Sequence, residues 1–276
     1  MSAEARSRMA ESDDPIVFVE PPCSPEGVAR GSVLLVHGSA PFNADGFIPL
    51  KGTTTPYGRH PFFRDLALVL RNQGFHVVRY SKPGVFQDGV NSVVYAMTDL
   101  ACLSDQLVRV FRHLPHAHPR LVLAWSEGTL HLRALPLGEL DGVVLLGGIA
   151  TNIADVIASQ GGPIRPELES QLSKMGRTEM IGLDRPAGRL VDELALEDNW
   201  RSLVRYAGLQ FLVLHGSEDR EVPSSQADVF AAHLPAERTT VLIGEGLDHR
   251  FMPPGGYDLV PLGLAICEWV EHRFPA

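Results

Sequence analysis

Leu121-Val122-Leu123-Ala124-Trp125-Ser126-Glu127-Gly128-Thr129 decides how this chain is read. The apolar run 121–124 fits a strand buried on both faces. It leads directly into a small-x-Ser-x-Gly turn, and a helical stretch begins near Glu127. A serine on so sharp a strand-to-helix turn has its hydroxyl exposed at the end of the sheet. Its neighbours two positions away must be small, because strand and helix backbones approach closely there. The following helix points its N-terminus, with its partial positive charge, at any anion that develops beside the hydroxyl. The pattern marks Ser126 as a candidate nucleophile and the Glu127 N–H as one oxyanion donor. Ala124 occupies the first small position, a departure from G-x-S-x-G.

The same alternation extends outward in both directions. Short apolar runs at 16–19, 33–36, 75–80, 143–146, 211–214 and 240–243 read as strands, the first of them an edge strand. Helical periods fall over 62–72, 99–114, 224–233 and 261–272. The first helix shows the spacing Phe63, Leu66, Ala67, Leu70, with Pro61 at its start and Gly74 just past its end. Strands that are apolar throughout and alternate with helices predict an α/β fold: a mostly parallel central sheet with helices on both faces.

Two stretches break this rhythm. Residues 40–60 are rich in Gly, Pro and Thr and have no period. Residues 149–200 lie between two strands and are too long for a simple crossover. Helical patterns at 153–159 and 166–175 are separated by Gly161, Gly162 and Pro163, and Pro186 follows as a further break. The chain is therefore expected to divide into a loose tail over 1–14, a core over 15–148 and 201–276, and an inserted cap over 149–200.

Composition narrows the classes. The chain has 276 residues, of which 45% are hydrophobic and 21% charged, the balance of a protein with a sizeable core. A net charge of −9 argues against nucleic acid as a partner. No apolar run approaches the roughly 18 residues that a membrane helix needs, so no membrane partner is expected. The cysteines, Cys23, Cys102 and Cys267, are odd in number and widely spaced, so they offer no disulfide framework and point to the reducing cytoplasm. His113, His116 and His118 flank Pro115 without ligand spacing, and no metal site is expected there.

Taken together, these segments resemble the α/β-hydrolase superfamily, in particular small bacterial-type serine hydrolases with a Ser-Glu-Gly elbow. The likeness runs from about Val33 to the C-terminus and rests on motifs and their order. The strand 33–36 ends in His37-Gly38-Ser39-Ala40-Pro41, which resembles the family's oxyanion loop. The resemblance assigns a second oxyanion N–H to Ser39 or Ala40, and a structural, backbone-bonded role to His37. In Ser81-Lys82-Pro83-Gly84, Ser81 and Pro83 replace the Asp and Arg that many relatives pair in that loop. Phe211-Leu212-Val213-Leu214-His215-Gly216-Ser217-Glu218-Asp219-Arg220-Glu221-Val222-Pro223 resembles the acid loop, and its spacing favours Asp219 over Glu218 and Glu221. His249, in a glycine-rich loop before the last helix, stands where the family places its base. The order Ser126, Asp219, His249 is that of α/β-hydrolases. His131, on the helix after the elbow, is expected to pack in the core.

The resemblance implies a hydrolase acting on a carboxylic ester, thioester or lactone through an acyl-serine intermediate. It needs no cofactor, and its only implied partner is a small-molecule acyl substrate. An acyltransferase or cyclising enzyme with the same nucleophile, and a non-catalytic binding module on this scaffold, are the alternatives. Trp125, Phe42, Phe47, Tyr95, Met175 and Met180 could line an apolar substrate pocket, although burial in the core or cap is the simpler expectation for each.

Overall fold

The computed structural model describes residues 15–23, 29–50, 60–182, 185–206 and 208–275. The expected tail over 1–14 lies outside them, as does the 51–59 part of the long loop.

The strands are β1 (Val17–Glu20), β2 (Gly31–Val36), β3 (Phe75–Tyr80), β4 (Arg120–Trp125), β5 (Gly142–Leu146), a short pair β6 (Met180–Ile181) and β7 (Arg185–Pro186), then β8 (Gln210–Gly216) and β9 (Thr239–Gly244). All but β6 and β7 join one sheet in the order β1-β3-β2-β4-β5-β8-β9. Only β1 runs antiparallel, on the edge against β3. The register sets Trp125 beside Leu146 and Leu146 beside Leu214, while Gly216 faces Gly244. The carboxyl ends of β4, β5, β8 and β9 therefore finish along one rim. The connections diverge between β2 and β4, and such a switch point opens a crevice at the carboxyl edge.

The helices are α1 (Phe62–Asn72), α2 (Ser92–Ala96), α3 (Leu100–Phe111), α4 (Gly128–His131), α5 (Ile153–Ser159), α6 (Arg165–Leu172), α7 (Ala187–Leu194), α8 (Asn199–Leu203), α9 (Ser225–His233) and α10 (Val260–Arg273). The pleat sorts the apolar strand residues two ways. Leu35, Leu121, Leu123, Val144 and Leu212 face α1 and α10. Leu34, Val122, Val143, Leu145 and Val213 face α3 and α9. Helix α3 starts where Asp99 accepts the Cys102 N–H at 2.9 Å, a side-chain N-cap.

Between β5 and β8, Ile153, Val156, Leu168, Leu172, Leu190 and Leu194 form a small apolar cluster that Leu130 and Val222 join. Helix α5 matches its periodicity, whereas α6 ends at Leu172, short of 175. Helices α2, α7 and α8 have no counterpart in the sequence reading. The reason is plainest for α7: its buried side includes Arg189 and Glu193, at 0% and 1% exposure. A hydrophobic period cannot register charged residues that are buried by pairing. Among the described residues no helix is long and apolar enough to cross a membrane.

Candidate active site

Ser126 follows β4 with a φ of 57°, in the left-handed region that a non-glycine residue enters at a cost of about 1–3 kcal/mol. Neighbouring bonds hold it there. Its N–H donates to the Leu146 carbonyl at 2.9 Å, and its own carbonyl accepts from Thr129 N–H at 3.1 Å and Thr129 Oγ1 at 2.8 Å. Glycines make the close approaches that the pattern requires. A Cβ on Gly128 would lie 2.5 Å from the His37 carbonyl oxygen, and one on Gly38 would lie 3.1 Å from Ser126 Cβ. The loop after β2 is thus packed directly on the elbow.

Asp219 and His249 come to the same rim from β8 and β9. Asp219 Oδ2 lies 2.6 Å from His249 Nδ1. Asp219 Oδ1 accepts the Glu221 and Val222 N–H groups at 2.9 and 2.8 Å. His215 Nε2 lies 2.8 Å from the Val222 carbonyl and 3.2 Å from Asp219 Oδ2. Burial works to raise the Asp219 carboxyl, but hydrogen bonds from His215, His249 and the Val222 N–H outweigh it and hold it well below the usual carboxylate range. Burial likewise opposes the His249 imidazolium, yet the bond to Asp219 and its charge raise His249 above an ordinary histidine.

His249 also packs on the residue before the serine. The Trp125 indole N–H donates to the His249 carbonyl at 3.1 Å, and the two rings lie 5.5 Å apart. Gly147, directly after Leu146, leaves room for the imidazole: a Cβ there would sit 3.2 Å from His249 Cε1 and Nδ1. Of the rival acids, Glu218 is exposed, and Glu221 reaches only to 4.0 Å from His249 Nε2.

His37 Nε2 lies 2.6 Å from the Tyr80 carbonyl, and burial pushes its pKa down to about 3, so it stays neutral. The loop after β3 is tied by Ser81 and Lys82. Ser81 Oγ accepts the Ala44 N–H at 3.0 Å. Lys82 Nζ donates to the Gly38 carbonyl and, at 2.9 Å, to the Ser39 carbonyl. Tyr95 Oη and Arg189 Nη2 donate to the same Ser39 carbonyl at 2.9 and 2.8 Å.

Sequence reasoning missed the charged cluster behind this carbonyl. Glu127, 1% exposed, lies 2.9 Å from Arg185 and 3.7 Å from Arg189. Glu193 lies 2.8 Å from Arg185 and 3.6 Å from Arg189. Burial opposes the Glu127 charge, but Arg185 and Arg189 keep it ionised. Burial and the Glu127 charge push Glu193 up to about 7. Burial, aided by the Arg189 charge, pushes Lys82 down to about 7. Glu127, His131 and Glu193 bring ligand-type atoms within 4.8 Å of one another, but a metal there would have to displace both arginines. His131 is buried, as its place on the helix suggests, with Nε2 3.5 Å from Glu127. Arg185, Arg189, Asp192 and Glu193 stand close together in the sequence, but nothing local ties them to Lys82 or Glu127.

The residues named for an apolar pocket are scattered. Trp125 and Phe42 pack in the core against Phe62 and Phe63. Tyr95 belongs with the charged cluster, and Met175 packs against the cluster of Ile153, Leu168 and Leu190.

Sheet order, strand direction and the helices on both faces define the α/β-hydrolase fold. Est1E from Butyrivibrio proteoclasticus, solved with ferulic acid bound, aligns with a TM-score of 0.69 over 95% of this chain and 96% of its own, at 13% identity. The esterase domain of a Rhodothermus marinus protein aligns with 0.59 over 93% and 92%, at 14% identity. A monoacylglycerol lipase from Paleococcus ferrophilus aligns with 0.56 over 95% and 100%, at 16% identity. No protein-family model and no curated protein matches the sequence.

Proposed function

We propose that this protein is a serine hydrolase that cleaves a carboxylic ester, thioester or lactone through an acyl-serine intermediate. The observation that carries the reading is the 2.6 Å contact between His249 Nδ1 and Asp219 Oδ2, with His249 packed on Trp125, the residue before a serine with a left-handed backbone. Asp219 fixes the tautomer that carries its proton on Nδ1, which leaves Nε2 as the base. His249 Nε2 takes the proton of Ser126 Oγ as that oxygen bonds to the acyl carbon. The carbonyl oxygen becomes an oxyanion, received by the N–H groups of Glu127 and of Ser39 or Ala40. The imidazolium then returns its proton to the departing alcohol or thiol. Water, deprotonated by the same nitrogen, attacks the acyl-serine and releases the acid and Ser126. Residues 149–200 act as a cap over this site.

The test is Ser126→Ala with a p-nitrophenyl ester, alongside labelling of the unaltered protein by a fluorophosphonate. The variant is expected to keep its unfolding curve and lose turnover, and the probe to attach at Ser126. Full activity in the variant, or a probe that leaves Ser126 unmodified, removes the basis of the reading. Neutral esters are the expected substrates. Faster hydrolysis of a polyanionic ester than of its neutral analogue would count against that.

A further inference from the structure

Strand β8 is apolar from Phe211 to Leu214 and then places a fully buried histidine, His215, before Gly216. Burying an imidazole costs free energy unless its polar atoms are engaged. Nδ1 is buried and has no hydrogen-bond partner among the described residues, so packing alone would be served as well by a leucine. Nε2 is engaged twice. It lies 2.8 Å from the Val222 carbonyl and 3.2 Å from Asp219 Oδ2. Both neighbours are acceptors, so Nε2 carries the proton and donates.

The bond to Val222 spans seven positions and closes the acid loop on the end of β8, with Asp219 inside it. The residue so held also holds the acid: the Val222 N–H donates to Asp219 Oδ1 at 2.8 Å. The same imidazole N–H lies beside Oδ2, the oxygen that meets His249 Nδ1 at 2.6 Å. His215 thus supports one carboxylate oxygen through Val222 and the other directly. Glu221, 4.0 Å from His249 Nε2, and Asp248, paired with Arg250, also act on the His249 ring, and a substitution at 215 changes neither charge.

We propose that His215 is a positioning residue of the reaction, which acts through Asp219 by closing the loop that carries it and steadying its Oδ2 against His249 Nδ1. The inference deepens the hydrolase reading, and its effect on turnover rests on that reading.

His215→Leu removes the donor, and His215→Gln keeps an N–H near the place of Nε2. In ester turnover His215→Leu is expected to lower kcat about ten- to a hundredfold, the size that loss of one hydrogen bond to a charged group brings. KM should stay in place, since His215 is fully buried and out of reach of substrate. Asp219 raises the His249 pKa, so a loosened Asp219 raises it less, and the acid limb of the pH–rate profile should move to lower pH. His215→Gln should restore both. Added to Asp219→Asn, His215→Leu should lower kcat no further. In the unaltered protein, nitrogen NMR should find His215 protonated on Nε2 and bare on Nδ1. The low-field proton NMR signal of His249 Nδ1–H should persist in His215→Gln and fade in His215→Leu. A His215→Leu protein with unchanged kcat, a limb that stays or moves to higher pH, full additivity with Asp219→Asn, or the opposite tautomer overturns the proposal. A protein inactive on every ester defeats the hydrolase reading instead, while the two NMR measurements still decide whether His215 steadies Asp219.

Discussion

Gly128→Ala is the sharpest test of how the elbow is built. The added methyl would lie 2.5 Å from the His37 carbonyl oxygen, 2.9 Å from that of Val36 and 3.0 Å from the His37 carbonyl carbon. All three are backbone atoms, so no side chain can swing aside. An ordinary carbon–oxygen contact needs a few tenths of an ångström more than 3 Å, so the end of β2 and the elbow must separate by about half an ångström or more. Overpacking of this kind costs about 1–3 kcal/mol of stability. The larger effect is expected in the rate. The displaced carbonyl leads into Gly38 and Ser39, the loop packed on Ser126. Loss of one oxyanion donor costs about 10²–10³ in kcat, or about 3–4 kcal/mol. Urea unfolding and kcat for a p-nitrophenyl ester measure the two terms separately. Gly138→Ala is the control, because a Cβ there meets nothing within 4 Å. A Gly128→Ala protein with wild-type stability and kcat would refute the close approach and the role given to the loop.

Asp219→Asn should lower kcat by about 10⁴, as removal of the orienting acid does in other triads. In the unaltered protein, activity should fall as pH drops through the His249 pKa, which Asp219 raises above the ordinary value. The variant should shift that acid limb to lower pH, and a limb that stays in place in a pH–rate profile would contradict the pairing. Arg189→Met leaves Glu127 and Glu193 facing each other with one arginine fewer, and should cost about 3–5 kcal/mol in denaturant unfolding. Arg189→Met combined with Glu193→Leu should recover part of that loss, and an additive double variant would argue against the coupling.

Much of the sheet was legible in the sequence because a strand buried on both faces must be apolar throughout. The runs ending at Val36, Tyr80 and Leu146 coincide with β2, β3 and β5 to within a residue or two, and the run ending at Ile243 coincides as closely with β9, although that edge strand leaves Leu242 and Ile243 exposed. The chain order of Ser126, Asp219 and His249 was equally legible, since each sits in a loop bounded by such a strand. Their approach to one rim was decided by the parallel register, which aligns Trp125, Leu146 and Leu214 across the sheet. The charged cluster of Lys82, Glu127, Arg185, Arg189 and Glu193 was decided only by the tertiary structure. Burial of a leucine follows from its own chemistry and shows as a period along the chain. Burial of an arginine depends on a carboxylate brought to it from elsewhere, here from Glu127 to Arg189 across some sixty positions, and local sequence carries no trace of that pairing.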